Sequence, residues 1–92
     1  MSEKIRRHFY VDGRVQGVGF RYTAYYVAQS MGLTGWVKNL DDGRVDLEVQ
    51  GDPELVSRFL GQVEAAGKWI HIDDIVSSHI PLISENSFHM MN

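Results

Sequence analysis

Three glycines fall within the seven residues from Gly13 to Gly19, and Phe20-Arg21 follows at once. No other stretch restricts this chain as much. Glycine has no Cβ, so the backbone can curl tightly and turn successive peptide N–H groups toward one point. Such a concavity attracts anions. The arginine arrives where a helix is expected to begin. The first N–H groups of a helix have no internal partner and carry a partial positive charge. A guanidinium adds a planar fork matched to phosphate oxygens. The stretch reads as a cradle for a small phosphoryl group.

The flanking periodicities say what holds the cradle. Arg7 to Val11 reads as a strand with Phe9 and Val11 on one face and His8, Tyr10 and Asp12 on the other. After the cradle, Phe20, Ala24, Val27, Ala28 and Met31 recur at helical spacing, and Gly32 is a suitable stop. Gly35 to Leu40 is a second strand, and Asp41-Asp42-Gly43 has hairpin chemistry. In the third strand, Arg44 to Gln50, Val45, Leu47 and Val49 alternate with Asp46, Glu48 and Gln50. One buried and one wet face are expected.

A second helix opens at Asp52-Pro53-Glu54, with a capping carboxylate, a proline at the first helical position and an acid at the positive end. Leu55, Val56, Phe59, Leu60 and Val63 form its apolar stripe, Gly61 sits on the wet side, and Gly67 ends it. Beyond it Ile70 and Ile72 alternate with His71, and the pattern slips at Asp73-Asp74-Ile75, which suggests a bulge. Pro81 marks a break or an edge, and Phe88 to Met90 a last short strand. The order βαββαβ implies an α+β, ferredoxin-like sandwich. Two helices would cover one face of a mostly antiparallel sheet of four to five strands.

At 92 residues the expectation is one small domain spanning the whole chain. A net charge of −3 argues against a general nucleic-acid binder, though a local pocket can still be positive. There is no cysteine, so disulfides, zinc-thiolate sites and thiol nucleophiles are excluded. No long apolar run suggests a secretory signal or a membrane span, and a soluble cytoplasmic monomer is expected. His8, His71, His79 and His89 are scattered without the spacing of a helical metal site. Tyr22, Tyr25 and Tyr26 are expected to pack partly into the core.

The run Gly13-Arg14-Val15-Gln16-Gly17-Val18-Gly19-Phe20-Arg21 resembles the signature of the acylphosphatases, and Gly35-Trp36-Val37-Lys38-Asn39-Leu40-Asp41-Asp42-Gly43 resembles their second motif. The resemblance covers about the first two-thirds of the chain. It implies hydrolysis of the carboxyl-phosphate bond of acyl phosphates to a carboxylate and inorganic phosphate, without a cofactor or metal. By the same resemblance Arg21 would bind phosphate and Asn39 would orient the attacking water. The backbone N–H groups of Val15, Gln16, Gly17, Val18, Gly19 and Phe20 would line the cradle. Leu40 stands where some members have a hydroxyl residue, and the segment from Gly67 to Ile75 departs from the family pattern.

An acyl phosphate is already activated, because its leaving group is a carboxylate. Positioning and charge stabilisation are what the protein has left to supply. Two rival readings fit the same element order. An RNA-recognition module needs stacking aromatics on the third strand, where this chain has Asp46, Glu48 and Gln50. A non-catalytic phosphate or carbamoyl-phosphate binding domain would share the cradle but not the turnover.

Overall fold

The computed structural model describes residues 3–92, so the first two residues of the expected domain lie outside it. Seven elements follow in the order β1 (Ile5–Arg14), α1 (Phe20–Met31), β2 (Thr34–Asn39), β3 (Val45–Gly51), α2 (Pro53–Ala66), β4 (His71–Ile80) and β5 (Phe88–Met90). The strands form one sheet in the order β4-β1-β3-β2-β5. Only the β2–β5 pair is parallel. The helices pack on each other and against the sheet. This is the ferredoxin-like α+β sandwich that the element order implied.

Local chemistry explains the helix limits. Asp52 accepts a hydrogen bond from the Glu54 N–H at 2.9 Å, with Pro53 as the first helical residue. At the other limit of α1, Gly32 takes a left-handed φ of 67° and returns its N–H to the preceding turn. Phe20, Ala24 and Ala28 of α1 and Val56, Phe59, Leu60 and Val63 of α2 are buried against Phe9, Val11, Val37, Val45, Leu47 and Val49 of the sheet. Full burial of a side chain the size of Phe or Leu contributes roughly 1.5–3 kcal/mol. A one-residue slip would turn a strand's whole apolar set outward, so this core holds the register. The expected irregularity on β4 is present. Asp12 pairs with Asp74 and Gly13 with Ile72, leaving Asp73 without a partner across the ladder.

The sheet face away from the helices corrects one expectation. Asp46 and Gln50 are not wet but only 9% and 4% exposed. Strands β4 and β5 lie at opposite edges of the sheet, so the residues between them, 81–87, must cross that face. Gln50 clamps this crossing segment with both ends of its carboxamide, accepting from the Ile83 N–H at 3.0 Å and donating to the Ile83 carbonyl at 2.9 Å. Arg6, 1% exposed, donates to Glu48 at 2.9 Å and also to Glu85 of the crossing segment. A second correction concerns α1. Tyr22 and Tyr26 are 60% and 63% exposed, and of the three tyrosines only Tyr25 packs against the core. No helix among the described residues is long and apolar enough to cross a membrane.

Candidate active site

The ends of β1 and β2, the start of α1 and the turn between β2 and β3 all lie at one end of the sheet. Val11 faces Val45, Val45 faces Asn39, and α1 follows β1 after a five-residue loop, 15–19. Gly17 and Gly19 adopt φ of 73° and 81°, the left-handed region. A Cβ built on either glycine would meet nothing within 4 Å. Glycine is required there for the backbone angle, not for lack of room.

Gly19 is also the N-cap of α1, and it has no side chain to satisfy the helix's leading N–H groups. The first turn holds no acid either. A helix that begins in this way keeps its unpaired donors and its positive end for an outside anion.

A cleft of about 150 Å³ opens here, lined by Val15, Gly17, Gly19, Phe20, Arg21, Tyr22 and Asn39. The structure thus brings together most of the residues singled out from the sequence, from two motifs far apart in the chain. Gln16 and Val18 do not line the cleft. Val18 packs partly on the core. Gln16 turns its carboxamide the other way and donates to the carbonyls of Leu40 and Arg44 at 2.7 and 2.8 Å. It therefore ties the loop to the β2–β3 turn. Tyr22 joins the cleft as an exposed member of its rim.

Arg21 is anchored through one nitrogen. Its Nη1 donates to the Met91 carbonyl at 2.9 Å and to the main-chain oxygen of Asn92, with the Asn92 Oδ1 at 3.4 Å. No other hydrogen bond among the described residues engages the guanidinium, so its remaining N–H groups are available to a ligand.

Asn39 ends β2. Its main-chain N–H donates to Asn92 Oδ1 at 3.2 Å, and its carbonyl accepts from Asn92 Nδ2 at 3.0 Å. Its own side-chain oxygen, Oδ1, is buried and has no hydrogen-bond partner among the described residues. Leaving such an acceptor unsatisfied costs about 1–3 kcal/mol. Asn39 lines the cleft, and an orphan acceptor on such a residue is the place where a water proton would be welcome.

The titratable surroundings are sparse. No histidine lines the cleft. His8 is engaged with Asp46 at 2.5 Å and His71 with Asp73 at 3.1 Å. In the β2–β3 turn, the Arg44 backbone N–H and then its guanidinium hold the Asp42 carboxyl below the usual carboxylate range. Among the described residues no group of three or more His, Asp or Glu side chains could hold a metal ion. Several larger clefts exist, among them one of about 260 Å³ between β1 and α2 and one of about 620 Å³ beside Arg14 and Trp69. None of these includes an uncapped helix start or an orphan amide oxygen.

Comparison with known proteins gives the family. The acylphosphatase family model matches residues 7–90. An acylphosphatase from Bifidobacterium longum is 37% identical over 83 residues, which is 90% of this chain and 86% of that one. One from Solibacter usitatus is 39% identical over 90 residues, or 98% and 94% of the two chains. The crystal structure of acylphosphatase from Bacillus subtilis superposes with a TM-score of 0.88 at 35% identity, covering 96% of this chain and 99% of that one. With a family model spanning both motifs and relatives matched over most of their own length, the chain belongs to the acylphosphatase family.

Proposed function

We propose that this acylphosphatase hydrolyses its substrate in the cleft between the glycine-rich loop and Asn39, with the loop and Arg21 holding the phosphoryl group and Asn39 holding the water. The observation behind this reading is the convergence of three features in one small cleft: an uncapped helix start, a guanidinium with free donors, and an orphan amide oxygen.

The peptide N–H groups of residues 15–20 and the free edge of Arg21 would contact the three terminal oxygens of the phosphoryl group. Their hold would strengthen as charge builds on those oxygens while the bond to the carboxyl oxygen opens. Asn39 Oδ1 would accept a hydrogen bond from one O–H of a water molecule, which keeps that proton, and direct a water lone pair at phosphorus. The water oxygen would bond to phosphorus as the phosphorus–carboxyl-oxygen bond breaks, and the bonding pair would leave on the carboxylate. The second water proton would pass to a phosphoryl oxygen of the substrate itself, because a neutral amide cannot take it. In this scheme neither a metal ion nor a protein base is required, and one chain supplies every group, so a monomer suffices.

The test is release of orthophosphate from benzoyl phosphate, with and without a chelator. Turnover unaffected by the chelator is expected. Saturable orthophosphate binding without any turnover would replace this reading with that of a non-catalytic phosphate-binding domain.

A further inference from the structure

The link between Arg21 and Asn39 runs through residues 91 and 92. Strand β5 runs parallel to β2, with Val37 opposite Met90, and the Met91 N–H donates to the Val37 carbonyl at 2.8 Å. In a continuing parallel ladder, the evenly spaced bonds would next join the Asn39 N–H to the Met91 carbonyl. That bond is not made. The Met91 carbonyl turns to Arg21 instead.

Asn92 leaves the strand with φ of 41°, the one non-glycine residue with positive φ among the described residues. Asparagine is among the few residue types that tolerate that conformation. Its carboxamide then supplies what the ladder lacks. Oδ1 accepts from the Asn39 N–H and Nδ2 donates to the Asn39 carbonyl. A side chain thus imitates one peptide unit of a strand, and the real peptide oxygens are released to hold the guanidinium.

We infer that Asn92 is a positioning residue for hydrolysis, whose carboxamide fixes the backbone of Asn39 and so aims the orphan Oδ1 at the water. The inference rests on the assignment of Asn39 to the water. The two points of contact fix both the tilt and the height of the last β2 residue. Only an amide side chain provides a donor and an acceptor side by side. Arg21 is held mainly by main-chain oxygens, with Asn92 Oδ1 contributing only at 3.4 Å, so phosphate binding is largely separable from water placement.

Two variants test this, each measured with benzoyl phosphate turnover, orthophosphate binding and amide hydrogen exchange at Asn39. Asn92→Ala removes both contacts to Asn39 and, of the Arg21 anchor, only the long 3.4 Å contact, leaving the two main-chain acceptors. Small displacements of a reacting group can cost up to about 100-fold. For Asn92→Ala a fall in kcat of about 10-fold is expected, with orthophosphate affinity within about twofold of wild type. The Asn39 amide should exchange faster. Asn92→Asp keeps the acceptor, loses the donor and sets a negative charge near Arg21. Its kcat should fall comparably and its orthophosphate affinity should fall as well. A role in stability alone would lower the melting temperature without this split.

Wild-type kcat and wild-type Asn39 exchange in Asn92→Ala would overturn the inference while leaving the active-site reading intact. A loss of orthophosphate affinity in Asn92→Ala equal to its loss of kcat would also overturn it, and would assign Asn92 to Arg21. A wild-type chain that binds orthophosphate but turns nothing over would sink the functional reading, and this inference with it.

Discussion

Gln16 reaches across 28 residues of sequence to donate a 2.8 Å hydrogen bond to the Arg44 carbonyl, from inside a loop that was expected to contribute only its backbone. The same Nε2 donates to Leu40 at 2.7 Å, so one amide nitrogen ties the glycine-rich loop to both sides of the β2–β3 turn. Left-handed glycines make the loop permissive, and Gln16 makes it definite. Gln16→Ala is expected to lose about 1 kcal/mol for each bond. For a chain of this size each kcal/mol lowers Tm by roughly 4–8 °C. Orthophosphate affinity should weaken as the N–H groups lose their convergence. Thermal unfolding and orthophosphate titration of the variant check both effects. Unchanged affinity would show that the glycines hold the loop unaided.

Arg21 lines the cleft with one nitrogen held by the oxygens of Met91 and Asn92 and its other N–H groups without a hydrogen bond among the described residues, so it can do two jobs at once. Arg21→Ala is expected to reduce turnover at least as much as the loss of a single oxyanion donor, which is on the order of 100- to 1000-fold. Arg21→Lys should be nearly as damaging. A lysine ends in one nitrogen, which cannot bond to the chain's own carbonyls and also present a fork to phosphate. Turnover of benzoyl phosphate and orthophosphate affinity, measured side by side, decide this. A lysine variant close to wild type would mean that charge alone is enough.

Asn39→Ala removes the orphan oxygen and nothing that contacts phosphate. Its backbone bonds to Asn92 survive, because they are made by the main chain of residue 39. A fall in kcat on the order of 100-fold is therefore expected, with orthophosphate affinity little changed. Asn39→Asp would put a carboxylate where incoming phosphate is already anionic, and both parameters should suffer. An alanine variant that lost phosphate affinity in step with kcat would reassign the residue to binding.

Features written in contiguous residues could be read from the sequence. The tight turn at Gly17 and Gly19, Gly32, the Asp52-Pro53-Glu54 cap and the bulge near Asp73 each depend on neighbours within a few positions, and each is present. The unread features depend on distant partners. The side chain of Gln16 finds its acceptors 24 and 28 residues away. Asn92 lies 53 residues from Asn39. Asp46 and Gln50 looked wet because alternation reports which face the helices cover. It does not report that residues 81–87 cross the other side.

Activity should vary little from mildly acidic to neutral pH, because no histidine lines the cleft and Asn39 does not titrate. A steep limb near the histidine range, about pH 6–7, would reveal a general base. An acidic limb has a different origin. The Asp42 carboxyl is held low by the Arg44 backbone N–H and then by its guanidinium. A group whose folded pKa is depressed stabilises the fold fully above its unfolded pKa, and that contribution is lost as pH falls through the folded value. The β2–β3 turn should thus loosen below the ordinary carboxylate range, around pH 4, and the Gln16 tie with it. Denaturant midpoints measured against pH should show a shallower acidic decline for Asp42→Asn than for wild type.

The crossing segment is held by a buried charge, and this makes it a point where stability and activity can be separated. Arg6 is fully buried and bonds to Glu48, Gln50 and Glu85, while its Nη2 has no partner among the described residues. Removing Glu85 leaves the guanidinium with Glu48 on β3 but nothing from the crossing segment. Hydrogen bonds to charged groups contribute about 1.5–3 kcal/mol, so Glu85→Ala should destabilise by roughly that amount. Replacing Arg6 alone with methionine should cost more, about 3–5 kcal/mol, because it removes the one cation and leaves the Glu48 and Glu85 carboxylates uncompensated. Neither change touches the cleft, so kcat for benzoyl phosphate at a temperature well below Tm should stay near wild type in both. Chemical denaturation gives the stabilities. If Arg6→Met proved no more damaging than Glu85→Ala, the buried charge would not be what fastens the crossing segment.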